Sequence, residues 1–419
     1  MIAGRVAPVD AWLARAGLPA LPRGAWLEID LDALESNLAT IRVLSGRGAR
    51  VAPVLKADAY GHGLEACARA LQQAGAGMLC VATLDEALLA RRAGVRVPIL
   101  VLFPIPPDAV REAAEASLEL AVTDVVGAAE LLEAWASRRH GDATLRVHLE
   151  VETGLQRGGV PAEAAADTAR TIAATPSVEL AGVWSHLARP GDASFSADQE
   201  RRLEVAVAAI EAVGLPRPRV HLSATGGLFA GTSAAHDVVR PGLSLYGELP
   251  DDLPIGESAR AAAAALRPVM RLVARPLRVA QVDPGTPVGY GGRWTASVPS
   301  LIATVPVGYG DGYARTTQPG AEALVRGRRV PVVGSVAMDA LAIDVTEVPG
   351  VSTADEVVLL GQQGDERISA SELARRRTTI AWEVLAGMAY RIPRVYHRAS
   401  GPTSVRTLAG EFLVREGTT

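Results

Sequence analysis

The side chain that most invites chemistry is Lys56. It closes an apolar run, Val51-Ala52-Pro53-Val54-Leu55, and is followed by Ala-Asp-Ala-Tyr-Gly-His-Gly before a helical pattern, LEACARALQQAG, begins. That order predicts a buried strand, a loop and a helix, with an ammonium at the strand's carboxyl end. A charge there is costly unless it is paired or used covalently. A lysine amine condenses with the carbonyls of cofactors and substrates. A strand-end lysine can also simply snorkel into solvent, so the reading needs companions elsewhere in the chain.

The elements around Lys56 supply them. Strand-like runs begin near Val51, Met78, Pro98, Leu118, Thr144, Val178, Arg219 and Asp237, with helical stretches such as LDEALLARRAG and DQERRLEVAVAAIEAVG between most of them. Thr83 with Glu86 forms the pattern of a capping box at one helix start. Eight such repeats predict an α/β fold with a closed eight-stranded (β/α)8 TIM-type barrel, in preference to an open doubly wound sheet. Barrels carry their chemistry on loops beyond the strand carboxyl ends. Those positions hold Lys56, Tyr60, Arg157, His186, the Ala224–Gly227 turn and Arg240-Pro241-Gly242. Thr225, Gly226, Gly227 and Gly242 suit a phosphate, because glycine leaves backbone N–H groups accessible, although a TGG turn can equally be an ordinary tight turn.

After Gly247 a polar and then alanine-rich stretch, DDLPIGESARAAAAAL, reads as a connection. From Leu266 the pattern becomes short β-type alternation punctuated by turn residues, which predicts a C-terminal mainly-β domain. One or two helices are expected near Ser369–Arg376 and Thr378–Gly387. The expected division is an extension over 1–24, amphipathic along Val9–Leu18, the barrel over 25–262 and the β-domain over 263–419. Tyr290, Tyr309, Tyr313 and Tyr390 sit beside glycine or in turns, where type alone predicts half-buried packing residues. Met338 on the same grounds reads as core filling.

Composition narrows the function classes. Across 419 residues the net charge is −4, with 49% hydrophobic and 21% charged residues. Basic residues are spread throughout, so no nucleic-acid partner is expected, and no apolar stretch reaches membrane-spanning length. The first residues lack the unbroken apolar stretch of a signal peptide. Two cysteines, Cys67 and Cys80, lie in apolar surroundings, consistent with a reduced, cytoplasmic protein. Seven histidines without HxH or HExxH spacing predict no metal site.

Seven blocks together resemble the bacterial alanine racemases: VLKADAYGHG, ETGLQRGGV, RPGLSLYG, VGYGGRW, VPVGYGDGYAR, GSVAMD and MAYRIPRVY, in the family's order between Trp26 and Tyr396. The resemblance implies pyridoxal 5'-phosphate as cofactor, L- and D-alanine as substrates, and a homodimer with shared active sites. It implies that Lys56 holds the cofactor and acts as one base, with Tyr290 of the partner subunit as the other. Arg240 would face the pyridine nitrogen, supported by His186. Tyr60, Thr225, Gly242 and Tyr390 would hold the phosphate. Arg157 and the main chain at Met338 would meet the cofactor's phenolic oxygen and the substrate carboxylate, while Tyr309 and Tyr390 narrow the entrance.

Such chemistry wants these residue types. Racemisation removes an α-proton from one face and returns one to the other, so two bases on opposite faces are the economical arrangement. Free Lys and Tyr, with pKa values of roughly 10.4 and 10, are poor bases at neutral pH unless desolvation or nearby cations lower them. A guanidinium at the ring nitrogen stays protonated, so that nitrogen only accepts a hydrogen bond. The electron sink is then weak and prompt reprotonation is favoured over transamination. Two positions depart from the family. Glu150 stands where many members carry a carbamylated lysine, and is expected to supply that negative charge to Arg157 directly. Ala224-Thr225 replaces Asn-Ser, which keeps the hydroxyl but loses an amide. A racemase of serine or another small amino acid is therefore the nearest alternative. A decarboxylase of the same fold plan is disfavoured by Arg240, and a single-barrel cofactor carrier by Tyr290 and the whole second half.

Overall fold

The computed structural model describes residues 8–137 and 143–414. Two units divide the chain, one of residues 34–59 and 64–267, the other of residues up to 33, 60–63 and from 268 onward. Strand β1 (Ala25–Asp30) belongs to the second. The first carries β2 (Arg50–Val51), β3 (Leu79–Val81), β4 (Ile99–Val101), β5 (Leu118–Val122), β6 (Leu145–Glu152), β7 (Val160–Pro161), β8 (Val178–Trp184), β9 (Arg219–His221) and β10 (Val238–Val239).

Within the first unit β3, β4, β5, β6, β8 and β9 pair in parallel in that order, and β10 pairs in parallel with β2. Two bridges complete the circuit: Val54 with Cys80, and Ala224 with Arg240. Eight parallel strands thus form a ring, and β7 is a short side strand on β6. The eight runs read from sequence are these eight strands. Parallel strands buried on both faces read as continuous apolar runs, and β3, β4 and β5 are buried at every position. Cys67 and Cys80 are both buried, and burial pushes the Cys80 thiol up to about 12.

The second unit is built on a twelve-stranded sheet. β1 lies between β11 (Met270–Ala274), antiparallel to it, and the parallel strand Arg394–Arg398. The expectation that the barrel begins at residue 25 is therefore corrected for β1. Its AWLEID sequence is buried throughout, so it looks like a barrel strand, and only its pairing partners, some 240 and 365 residues downstream, separate the two cases. The two expected helices are Ala370–Arg377 and Ala381–Ala386. The extension forms a helix, Val9–Arg15, with Val9 and Leu13 buried, Asp10 paired to Arg275 at 2.5 Å and the Trp12 ring 5.4 Å from His397. Among the described residues no helix is long and apolar enough to cross a membrane, and no group of three or more potential metal ligands gathers.

The loop expected after Lys56 is instead a left-handed turn. Ala57, Asp58, Ala59 and Tyr60 have φ values of 54°, 55°, 54° and 54°. Each such non-glycine residue costs roughly 1–2 kcal/mol. The glycines that follow answer a spatial need: a Cβ at Gly61 would lie 2.2 Å from the Leu385 carbonyl oxygen, and one at Gly63 (φ +105°) 1.8 Å from the Tyr396 hydroxyl. Gly63→Ala is accordingly expected to destabilise the fold by about 2 kcal/mol or more. A thermal melt checks this, and an unchanged midpoint would mean that Tyr396 yields freely.

Candidate active site

Lys56 is the only lysine in the chain. It lies half-buried beyond β2, and burial together with the positive charge of Arg157 holds its amine below the ordinary lysine range, with Glu86 opposing. A lysine with a lowered proton affinity is the form that serves as nucleophile or base near neutral pH.

Arg157 follows β6 and lies over the Phe103 ring, 5.9 Å from its centroid. Its Nη2 is 3.7 Å from Oε1 of Glu150, so the carboxylate at the position expected to carry a negative charge is within ion-pair reach. Burial pushes Glu150 up to about 7, against the pull of Arg157 and Arg240. The fold therefore favours the neutral carboxyl. Its contribution to stability is complete below the ordinary carboxylate range and is lost as pH rises through about 7. Glu150→Gln is expected to remove that dependence. Between pH 4.5 and 8 the parent protein should lose up to roughly 3 kcal/mol relative to the variant. Chemical unfolding of both across that window checks it; parallel pH curves would contradict it.

Arg240, beyond β10, ends a chain of buried polar groups. Its Nη1 donates to His221 Nδ1 at 2.7 Å, His221 Nε2 meets His148 Nδ1 at 2.9 Å, and His148 Nε2 meets Glu119 Oε2 at 2.6 Å. A guanidinium can only donate, so His221 must accept at Nδ1 and carry its proton on Nε2. His148 then accepts at Nδ1 and donates from Nε2 to Glu119. Burial lowers both histidines, which keeps them neutral. For Glu119 burial acts upward, but the His148 hydrogen bond and the Arg219 charge hold its carboxyl below the usual range. Gly182 makes room for this chain, since a Cβ there would lie 2.4 Å from His148 Nδ1. Arg240 also donates to the Ser185 carbonyl at 2.7 Å and lies over the Trp184 ring. His186, expected as its support, is the longer contact at 3.4 Å, and burial with the charges of Arg240, Arg157 and Lys56 drives it down to about 3. The nearer partner is His221.

Thr225 and Gly242 are joined by a hydrogen bond. Gly242 N–H donates to Thr225 Oγ1 at 3.1 Å, and Ser244 Oγ lies 3.0 Å from the same hydroxyl. The glycines of this turn are tightly packed, a Cβ at Gly226 falling 2.5 Å from Pro190 and one at Gly227 2.7 Å from Leu187.

Tyr60, Tyr290, Tyr309, Met338 and Tyr390 belong to the other unit. There Asp311 is fully buried and accepts from Arg23 at 2.6 and 3.0 Å, from Arg391 at 2.7 Å and from Gly308 N–H at 3.1 Å. Tyr309 N–H and Gly310 N–H donate to the carbonyls of Ala337 and Met338 at 3.0 and 2.8 Å, tying these two loops together. Arg391 extends the network to Asp339 at 2.7 Å. Ser335 Oγ holds the Tyr290 carbonyl at 3.1 Å, and the Tyr390 ring lies under Arg406. Tyr290 is 75% exposed, Tyr390 56% and Met338 53%, so the packing roles that residue type predicts do not apply to them.

Residues 29–250 match the family model of the alanine racemase N-terminal domain, and residues 269–396 that of its C-terminal domain. The chain belongs to the alanine racemase family. The alanine racemase of Desulfovibrio desulfuricans is 38% identical over 380 residues, 89% of this chain and 98% of that protein. That of Nostoc sp. is 35% identical over 374 residues, 88% and 95% of the two chains. The crystal structure of alanine racemase from Bacillus anthracis, with bound L-Ala-P, superposes with a TM-score of 0.84 at 31% identity, covering 93% of this chain and 99% of that one. As a member of the alanine racemase family the chain is an amino-acid racemase, an isomerase. Within this racemase the buried polar partners missed by sequence reasoning are Glu119, His148, His221 and Ser244. Polar side chains inside otherwise apolar strands, as Glu119 in LELAV and His148 in RVHLEV, are the signal that could have found two of them.

Proposed function

We propose that this chain interconverts L- and D-alanine with pyridoxal 5'-phosphate, using two bases on opposite faces of the substrate, Lys56 and Tyr290 of the partner subunit in a homodimer. D-alanine for peptidoglycan is the product this reading assigns. The observation that carries it is the grouping of the chain's one lysine with Arg157, Arg240 and His186, close enough to alter one another's proton affinity.

The donor set fits the cofactor. Lys56 would offer an amine for its aldehyde, Arg240 a permanent donor for its ring nitrogen, and Thr225 with the Gly242 backbone a polar turn for its phosphate, to which the family resemblance adds Tyr60 and Tyr390. Bound there, the cofactor acidifies the substrate's α-proton. Lys56, its amine kept partly neutral, takes or returns that proton on one face. The Tyr290 phenol does so on the other. Arg157 orients the substrate carboxylate, with Glu150 supplying the opposite charge in its ionised form, which gains as pH rises through about 7; the family resemblance assigns the Met338 main chain, Tyr309 and Tyr390 to the substrate space. Arg240, itself fixed by His221, would offer the ring nitrogen a hydrogen bond and no proton. The exposure of Tyr290 supports the dimer, because a phenol in bulk water is a poor base at neutral pH.

The test is direct. Purified protein given the cofactor should show the visible absorption of a lysine-bound form, and should convert L-alanine to a racemic mixture by chiral chromatography. Faster turnover of L-serine would move the assignment to the alternative small substrate, and neither activity would overturn it.

A further inference from the structure

The left-handed run after Lys56, consecutive non-glycine residues at positive φ, is a backbone feature that the proposed chemistry leaves unexplained. Strain of this kind persists only where the surroundings over-determine it. Three ties are evident. Ala59 N–H reaches the Leu55 carbonyl at 2.8 Å, Asp58 Oδ1 accepts from Leu64 N–H at 2.8 Å, and Ala57 N–H donates to Oε1 of Glu86 at 2.6 Å. The other oxygen of Glu86 accepts from the N–H groups of Ala82 at 2.8 Å and Thr83 at 3.2 Å. A carboxylate that merely capped the helix Leu84–Arg92 would need the Thr83 bond alone. Here it also crosses to the peptide directly after Lys56.

We propose that Glu86 is a positioning residue for Lys56, its carboxylate clamping the turn that presents the amine while placing a negative charge beside it. The charged groups that face Lys56 are then Arg157, from the loop after β6, and Glu86; His186, after β8, is neutral. Arg157 and burial favour the free amine, and Glu86 favours the ammonium. Charge-assisted hydrogen bonds to backbone N–H groups are the stronger kind, which suits a group holding strained residues. Glutamine at this position would keep the shape but lose the charge. It would also turn an N–H toward backbone donors.

The single lysine makes the test clean, because amine-directed reagents find no other side chain. The full-length protein is freed of cofactor and treated at pH 7 with trace acetic anhydride, the α-amine serving as internal reference. In Glu86→Gln, Lys56 should acetylate on the order of threefold or more faster than in the parent, since losing the carboxylate releases more free amine. In Glu86→Ala, loaded protein should lose its visible absorption on dialysis at least about threefold faster, as the clamp is gone. Both changes together support the proposal. If either value stays at that of the parent, the proposal is overturned, including where only the melting temperature falls, which would mark a helix cap. The inference rests on Lys56 holding the cofactor, yet the acetylation arm needs none. A failure of that wider reading would instead show as parent protein without visible absorption.

Discussion

Lys56→Ala is expected to abolish the visible absorption of cofactor-loaded protein and to lower racemisation more than about 10⁴-fold, because in the proposed scheme the covalent tether and one proton-transfer group vanish together. No other lysine exists to take over. The fold is expected to survive, since what is removed is a half-buried amine with a lowered proton affinity. Chiral chromatography of alanine and a thermal melt measure the two effects. Activity above one hundredth of the parent's would remove Lys56 from the role of base.

Tyr290→Phe is expected to keep the cofactor and, if the proposed role holds, to lose about 10²–10⁴-fold in racemisation, the range for a positioned acid–base group. Tyr290 is exposed and its carbonyl, not its hydroxyl, holds Ser335, so the loop remains intact. Enantiomers have equal free energies, so kcat/KM must fall equally in both directions. The asymmetry appears elsewhere. In heavy water the α-hydrogen of one enantiomer should still exchange without inversion, drawn off by Lys56, while that of the other should not. Equal loss of exchange for both would contradict opposite-face bases. Mixing this variant with Lys56→Ala chains supplies a further check. A dimer of one each restores an intact pair only if Tyr290 serves the partner subunit.

The barrel is legible because strands such as ILV and LELAV are buried on both faces and so leave unbroken apolar runs, each followed by a helical pattern. β1 is just as apolar, and nothing in AWLEID says which sheet it joins; that depends on register with residues hundreds of positions away. The strand-end positions of Lys56, Arg157, His186 and Arg240 follow from counting βα repeats. The partners of Arg240 do not. Glu119, His148 and His221 lie on β5, β6 and β9, and their contacts run across the barrel, where spacing along the chain carries no signal. The left-handed turn after Lys56 is hidden for another reason: alanine, aspartate and tyrosine do not advertise positive φ as glycine does. What holds them there is tertiary, and Glu86 reads along the chain only as half of a capping box.

That the surface cations are all guanidinium has a practical side. Glutaraldehyde and bis-succinimidyl esters join subunits through pairs of accessible amines, and here each subunit offers one side-chain amine, the half-buried Lys56, besides its α-amine. A band at monomer mass after such treatment would carry no information on association, which for this chain has to be weighed by sedimentation or light scattering.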